Sequence, residues 1–429
     1  MRAMGPSSPM PNSAAPGSVS SVTTHTGPLR SLHNGTFRWL WAAGLMIGFG
    51  NWMQRLTISW LVLDQTGSVF LTALSFAIRS APNLVFGPMG GAIADRYSRR
   101  KVLMLTAGLK ASIAIGIWLL VLQDDVLIWG LMALVALAGI TASFELPASQ
   151  ALAVDVVGRR NAANGVAMLS VASRAVGAAG ALTGGLLIES LGASPVFFLG
   201  GLAFAIGGFF VSRVVVDQPK QDSSRAGQGI WGLFGNTIGG LKVLFGIPVV
   251  ATLLAFAMVV EILGFTYQSV MPSLAEDVLG VGAVGLGALT AMAAIGGLAG
   301  SVIITALSDY GRKGLLALGI IFIYGAGLIA LGVSDIFPLS LLIVFTVGTM
   351  ASSFDALQWT MLMANVPDDM RGTAMGGWIF AIGFGWAGSL ELGVLAEVYS
   401  VGWALSVNGI GLLILGFIAL FFARGLRRI

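Results

Sequence analysis

Runs of eighteen or more mostly apolar residues recur along this chain from Phe37 to Phe422. As a helix, each run is long enough to cross a hydrocarbon core of about 30 Å. Twelve spans are expected, over residues 37–63, 69–93, 102–122, 126–155, 162–188, 195–216, 247–272, 284–307, 314–333, 337–364, 373–397 and 401–423. A chain of 429 residues that is 56% hydrophobic and 10% charged, with a mean hydropathy of +0.90, has more apolar surface than a water-soluble core hides. Lipid is therefore its main solvent. The two-residue alternation of a barrel strand is absent, so the expected fold class is all-α and integral to a membrane.

Residues 1–35 are rich in Ser, Pro, Gly and Thr and hold no apolar run, so they read as a disordered cytoplasmic tail rather than a signal peptide. The longest polar connection, residues 217–246, separates two six-helix bundles, 36–216 and 247–425. An internal repeat supports that division. ADRYSRRK at 94–101 is echoed by SDYGRK at 308–313, and FELPASQ at 144–150 by FDALQ at 354–358, offsets of 214 and 210. Two duplicated, pseudo-symmetric halves are the economical explanation.

Four of the 23 basic residues, Arg55, Arg79, Lys110 and Arg174, fall deep inside expected spans, and two more, Arg38 and Arg213, within the first or last few residues of spans 1 and 6. The others fall in the tail, the even-numbered loops, the central loop or the C-terminus, whereas the odd-numbered loops carry acids such as Asp124, Asp125, Glu276, Asp277 and Asp335. This asymmetry places both termini in the cytoplasm of a multi-pass inner-membrane protein. The pI of about 9.6 thus reports topology and anionic headgroups, not a nucleic-acid partner.

Between spans 2 and 3 lies GPMGGAIADRYSRRKVL, residues 87–103. Its pattern, with Gly87, Gly91, Asp95, Arg96, Arg99 and Arg100 and a weaker copy at Asp309 and Arg312, resembles the cytoplasmic loop signature of the major facilitator superfamily. Ser98 stands where that signature usually has Gly, and the second copy keeps Gly311. GNWMQRLTISWLVLDQTGS at 50–68, VMPSLAEDVLGVGAVGLGAL at 270–289 and NVPDDMRGTAMG at 365–376 resemble the exporter branch that includes enterobactin and macrolide efflux proteins. GALTGG at 180–185 resembles the span-5 antiporter motif, with Ala181 in place of its proline. The resemblance implies twelve transmembrane helices in the major facilitator fold. It also implies a gate in which Asp95 caps span 11 and Arg99 pairs with an acid near the end of span 4, for which Asp155 is the candidate. In that fold spans 1, 4, 7 and 10 line the cavity, which would place Arg55, Glu145, Glu261 and Asp355 there.

A charged side chain at the bilayer centre costs roughly 2.5–3.5 kcal/mol, so these groups should face each other or water. Helical spacing puts Asn51, Arg55 and Ser59 on one face of span 1 and Ser75, Arg79 and Asn83 on one face of span 2. Arg174 is expected beside Glu145, Arg79 opposite Glu391, and Lys110 with its ammonium drawn to the inner interface. Glu261 and Asp355 have no basic partner in their own half and are the candidates for proton coupling.

None of the five lysines follows a glycine, which excludes a Walker A loop, and His25 and His33 both lie in the tail. No cofactor, metal or catalytic group is expected, and the chain does not read as an enzyme. A monomeric secondary transporter is expected, with a small molecule and protons as its partners and the bilayer around it. Arginines facing acids suit an anionic or zwitterionic siderophore-like solute, and abundant Trp, Met and Phe suit a hydrophobic drug. Uptake, uniport and a non-transporting receptor or scaffold are the alternatives.

Overall fold

The computed structural model describes residues 30–422 apart from residues 124, 159–160, 217–241, 308–309 and 368–369. Most of the expected tail and central loop lies outside the described residues, as do the surroundings of Gly91 and the side chain of Asp95. The first half of the chain forms α1 (Gly35–Thr66), α2 (Val69–Ser80), α3 (Pro82–Arg96), α4 (Arg99–Val121), α5 (Ile128–Val157), α6 (Ala162–Leu191) and α7 (Ala193–Ser212). The second half forms α8 (Pro248–Leu263), α9 (Gly282–Ala306), α10 (Lys313–Val333), α11 (Phe337–Ala364), α12 (Arg371–Ile382), α13 (Gly385–Val398) and α14 (Val401–Phe422). Among the described residues there is no strand.

Local chemistry sets several ends. Asn34 Oδ1 accepts from the Thr36 and Phe37 amides at 2.9 and 3.2 Å, satisfying donors that open α1. Gly67, with φ +64°, closes that helix, and the Ser68 hydroxyl accepts from the Leu71 amide to start α2. Span 2 then breaks at Ala81, because Pro82 has no amide hydrogen to continue the ladder and so opens α3. Span 11 likewise divides, at Gly383–Phe384. Span 7 stops being α-helical at Leu263 and continues through a 3-10 stretch, Phe265–Ser269, to a π turn, Leu274–Val278. Irregular backbone at this depth is tolerated where it lines a cavity.

Among the described residues, eleven helical segments are long and apolar enough to cross a membrane. The expected span 1 is not among them. Its helix, α1, is 32 residues long but carries Arg38, Asn51, Gln54 and Arg55 in its apolar run. It packs against α6 and α7. Side chains such as Trp129, Val302 and Phe421, each 67% exposed or more, present apolar surface outward.

Helix pairings recur in the two halves. The contacts of α4 with α7, α4 with α5 and α3 with α5 have counterparts in α10 with α14, α10 with α11 and α9 with α11. Between halves, α6 packs on α9 and α2 on α13. Glycines set the closest approaches: a Cβ on Gly90 would overlap the Ser143 carbonyl, and one on Gly300 the Thr349 carbonyl. Neither carbonyl can retreat without disturbing its own helix. Gly300→Ala is expected to lower stability by about 2 kcal/mol, seen as earlier thermal unfolding of the detergent-solubilised protein; unchanged unfolding would show that α9 and α11 can separate freely.

The helix ends and turns at one end carry Arg96, Arg99, Arg100, Lys101, Arg312 and Lys313; those at the other carry Asp125, Glu276, Asp277 and Asp335. The two are called here the basic and the acidic end.

Candidate translocation cavity

Two adjoining chambers lie between the halves, with about 810 and 680 Å³ of empty space. Trp52, Arg55 and Ser59 of α1, Arg174 of α6, Thr290 of α9 and Asp355 of α11 line the first. Arg79 and Asn83 enter the second from α2 and α3, opposite Glu261 of α8 and Ser389 of α13. Arg55, Phe76, Phe265 and Gln268 border both chambers. The irregular segment after α8 therefore supplies a shared wall, and its break at Gly264 accommodates the Tyr324 ring: a Cβ there would stand 2.9 Å from Tyr324 Cε1.

The charges divide by half. Arg55, Arg79 and Arg174 come from the first, Glu261 and Asp355 from the second. Among the described residues none of the five makes an ion pair. The Arg55 guanidinium lies 5.1 Å from the Phe76 ring centre and 5.4 Å from that of Trp52, so two aromatic faces offset part of its desolvation. Arg174 Nη1 would be 3.0 Å from a Cβ on Gly297, and Glu261 Oε1 3.0 Å from one on Gly385. Each glycine opens space for a charged group beside a helix. Unpaired ions at this depth are costly, so water, a proton or a solute must reach them.

Several expected neighbours lie elsewhere. Glu145 pairs not with Arg174 but with Lys110, which also donates to Asn51 Oδ1 at 3.0 Å. Lys110 is 4% exposed, so its ammonium stays among α1, α4 and α5 instead of reaching the interface. Its aliphatic stem starts too deep in α4, and a carboxylate with an amide oxygen is the nearer partner. Glu145 and Asn51 thus border neither chamber, although spans 1, 7 and 10 do bring Arg55, Glu261 and Asp355 to the cavity. Arg79 meets the Glu261 chamber rather than Glu391. Glu391 faces Asn408 of α14 on the far side of α13.

At the basic end Arg99 Nη1 pairs with Asp155 Oδ1, and Arg99 Nε donates to the Ala94 carbonyl at 3.1 Å, so α3, α4 and α5 are tied together. Arg100 donates to the Ser212 carbonyl. A Cβ on Gly87 would stand 3.1 Å from Ile379 Cγ2 of α12, so this glycine faces span 11. Arg96 and Arg312 are exposed. Asp309 lies outside the described residues, as does the side chain of Asp95, and with it the expected cap on span 11.

Trp52, Phe76, Tyr267 and Gln268 border the chambers without having been singled out by sequence. Aromatic and amide residues in membrane helices usually pack or anchor, and only their position beside Arg55 gives them another part.

Comparisons with known proteins identify the family and the fold. The family described as Major Facilitator Superfamily matches residues 40–390. The chain is 28% identical over 367 residues to the enterobactin exporter EntS of Shigella flexneri, covering 85% of both chains. It is 28% identical over 372 residues to the enterobactin exporter EntS of Citrobacter koseri, covering 85% of this chain and 86% of that one. Among solved structures, the nucleoside transporter NupG superposes with a TM-score of 0.68 at 13% identity, over 91% of this chain and 99% of that one. A POT family transporter in complex with 5-aminolevulinic acid gives 0.71 at 12% identity, over 91% and 96%.

Proposed function

The chain belongs to the Major Facilitator Superfamily, and from that premise we propose that it exports a small amphipathic, siderophore-like compound across the cytoplasmic membrane in exchange for protons. The observation that carries this reading is the pair of chambers between the halves, with arginines from one half and, from the other, carboxyls that make no ion pair among the described residues. The likeness to enterobactin exporters supports the direction and the solute class.

In this reading α1 is a twelfth crossing, both termini and the basic end face the cytoplasm, and the protein works as a monomer. The two halves rock about the chambers, exposing them to one side at a time. Arg99 and Asp155, with Asp95, belong to the gate at the basic end. Glu261 or Asp355 takes a proton when the chambers face outward and releases it inside. Desolvation favours the neutral form of a carboxyl, and a nearby guanidinium favours the charged form, so a moving arginine partner switches the acid. Solute competes for the same groups.

Inverted membrane vesicles energised by respiration supply the test, with a panel of siderophores, macrolides and dyes. Uncoupler-sensitive accumulation of a panel member is expected. Entry that only equilibrates the solute and is indifferent to the uncoupler would replace proton exchange by uniport, and no transport across the panel would remove the solute assignment.

A further inference from the structure

At the acidic end, each half places a carboxylate on the start of a helix in the other half. Glu397, the penultimate residue of α13, accepts from Ser68 Oγ at 3.2 Å and from the Phe70 amide at 3.0 Å. Those donors open α2, whose first amides have no partner within the helix and carry the positive end of its dipole. Across the pseudo-two-fold, Glu189 near the end of α6 lies at the start of α9: a Cβ on Gly282 would stand 3.3 Å from Glu189 Oε2.

The two acids share a local sequence. GLLIE at 185–189 and GVLAE at 393–397 match as G-x-L-x-E, at an offset of 208. The helices they meet begin at Val69 and Gly282, an offset of 213, close to the 214 and 210 of the other internal repeats. One turn below each acid the glycine permits contact between halves. A Cβ on Gly185 would be 2.5 Å from the Ala283 carbonyl oxygen, and one on Gly393 2.5 Å from Ala73 Cβ. Acids on this end are expected for topology alone, but Asp125 and Asp335 make no hydrogen bond to the other half among the described residues, whereas Glu397 makes two.

We infer that Glu189 and Glu397 are a duplicated pair of latches that hold the acidic end closed. Each must leave the partner helix's N-terminus before α6 can part from α9, or α13 from α2. Both side chains are exposed, so water can solvate the carboxylates, and take over the two hydrogen bonds of Glu397, as the halves separate. The latches act by position, not by contact with solute, which lies deeper.

This inference rests on the alternating-access reading, but its test needs neither solute nor proton gradient. The chain has no cysteine, so Ser59→Cys on the chamber wall gives a single reporter thiol. Its reaction with a membrane-impermeant maleimide is timed in right-side-out and in inverted vesicles. Adding Glu189→Gln and Glu397→Gln is expected to raise labelling from the acidic side by roughly two- to fivefold for each acid removed, and to lower it from the basic side. Unchanged rates on both sides, at a normal membrane level of protein, would overturn the proposal. Should the double variant fail to accumulate, Ser68→Ala and Glu189→Gln are read singly. About a twofold rise in each is expected, and no rise in either would overturn it.

Discussion

Glu261→Gln combined with Asp355→Asn is expected to abolish uncoupler-sensitive efflux while exchange of labelled for unlabelled solute continues. The reason is a separation of two tasks. Rocking of the halves and the space for solute do not depend on a proton, so equilibrium exchange should survive in the neutral isosteres. Coupling does depend on a group that gains and loses charge. One proton moving across 100 mV supplies about 2.3 kcal/mol, or roughly a fiftyfold solute gradient. That whole gradient should vanish. The single variants sort the roles: the acid that carries the proton eliminates accumulation alone, and the other changes only the apparent affinity for solute. If both single variants and the double one accumulate solute normally, the coupling acids lie elsewhere. Glu391 is then next, since it is the remaining carboxyl in the interior of the second half and has a buried oxygen with no hydrogen-bond partner.

The spans were legible because lipid imposes a minimum length and excludes unpaired backbone, which leaves apolar helices as the reading of runs such as 314–333 and 401–423. The rest was less so. Helical periodicity assigns a residue to a face but not to a neighbour, and long side chains add several ångströms of reach. Thus the face holding Asn51, Arg55 and Ser59 was visible, yet Asn51 turns to Lys110 while Arg55 and Ser59 border a chamber. Arg174 and Glu145 lie on successive spans, but Arg174 borders a chamber while Glu145 turns to Lys110. The breaks at Ala81–Pro82 and Gly264 had a local signal in Pro and Gly. Many of the sixty glycines sit within unbroken helices, so the residue type alone did not mark the breaks. Nothing in the sequence marked Glu189 or Glu397, because what distinguishes them is a neighbour in the other half.

Lys110→Met is expected to lose folded protein, and Glu145→Gln to restore most of it. Lys110 is 4% exposed, its ammonium is held by Glu145 and Asn51, and it lies 5.7 Å from the Phe204 ring centre. Methionine nearly matches the lysine stem in volume, so little packing is lost. What remains is the Glu145 carboxylate facing a thioether, and an uncompensated buried charge of this kind costs about 3–5 kcal/mol. Glutamine at 145 removes the charge, keeps an acceptor and a donor near Asn51, and makes the pair an uncharged polar contact. Thermal unfolding of the four proteins in one detergent gives the coupling through a double-mutant cycle, expected at 2 kcal/mol or a little more. A coupling near zero would mean that Glu145 is solvated or protonated without its lysine. The double variant also separates structure from transport: if the pair only fixes α4 against α5, the refolded double variant exports solute as the native chain does. If it folds but accumulates nothing, Lys110 and Glu145 take part in transport as well as in packing, and the coupling machinery extends from the two acids of the second half into the first.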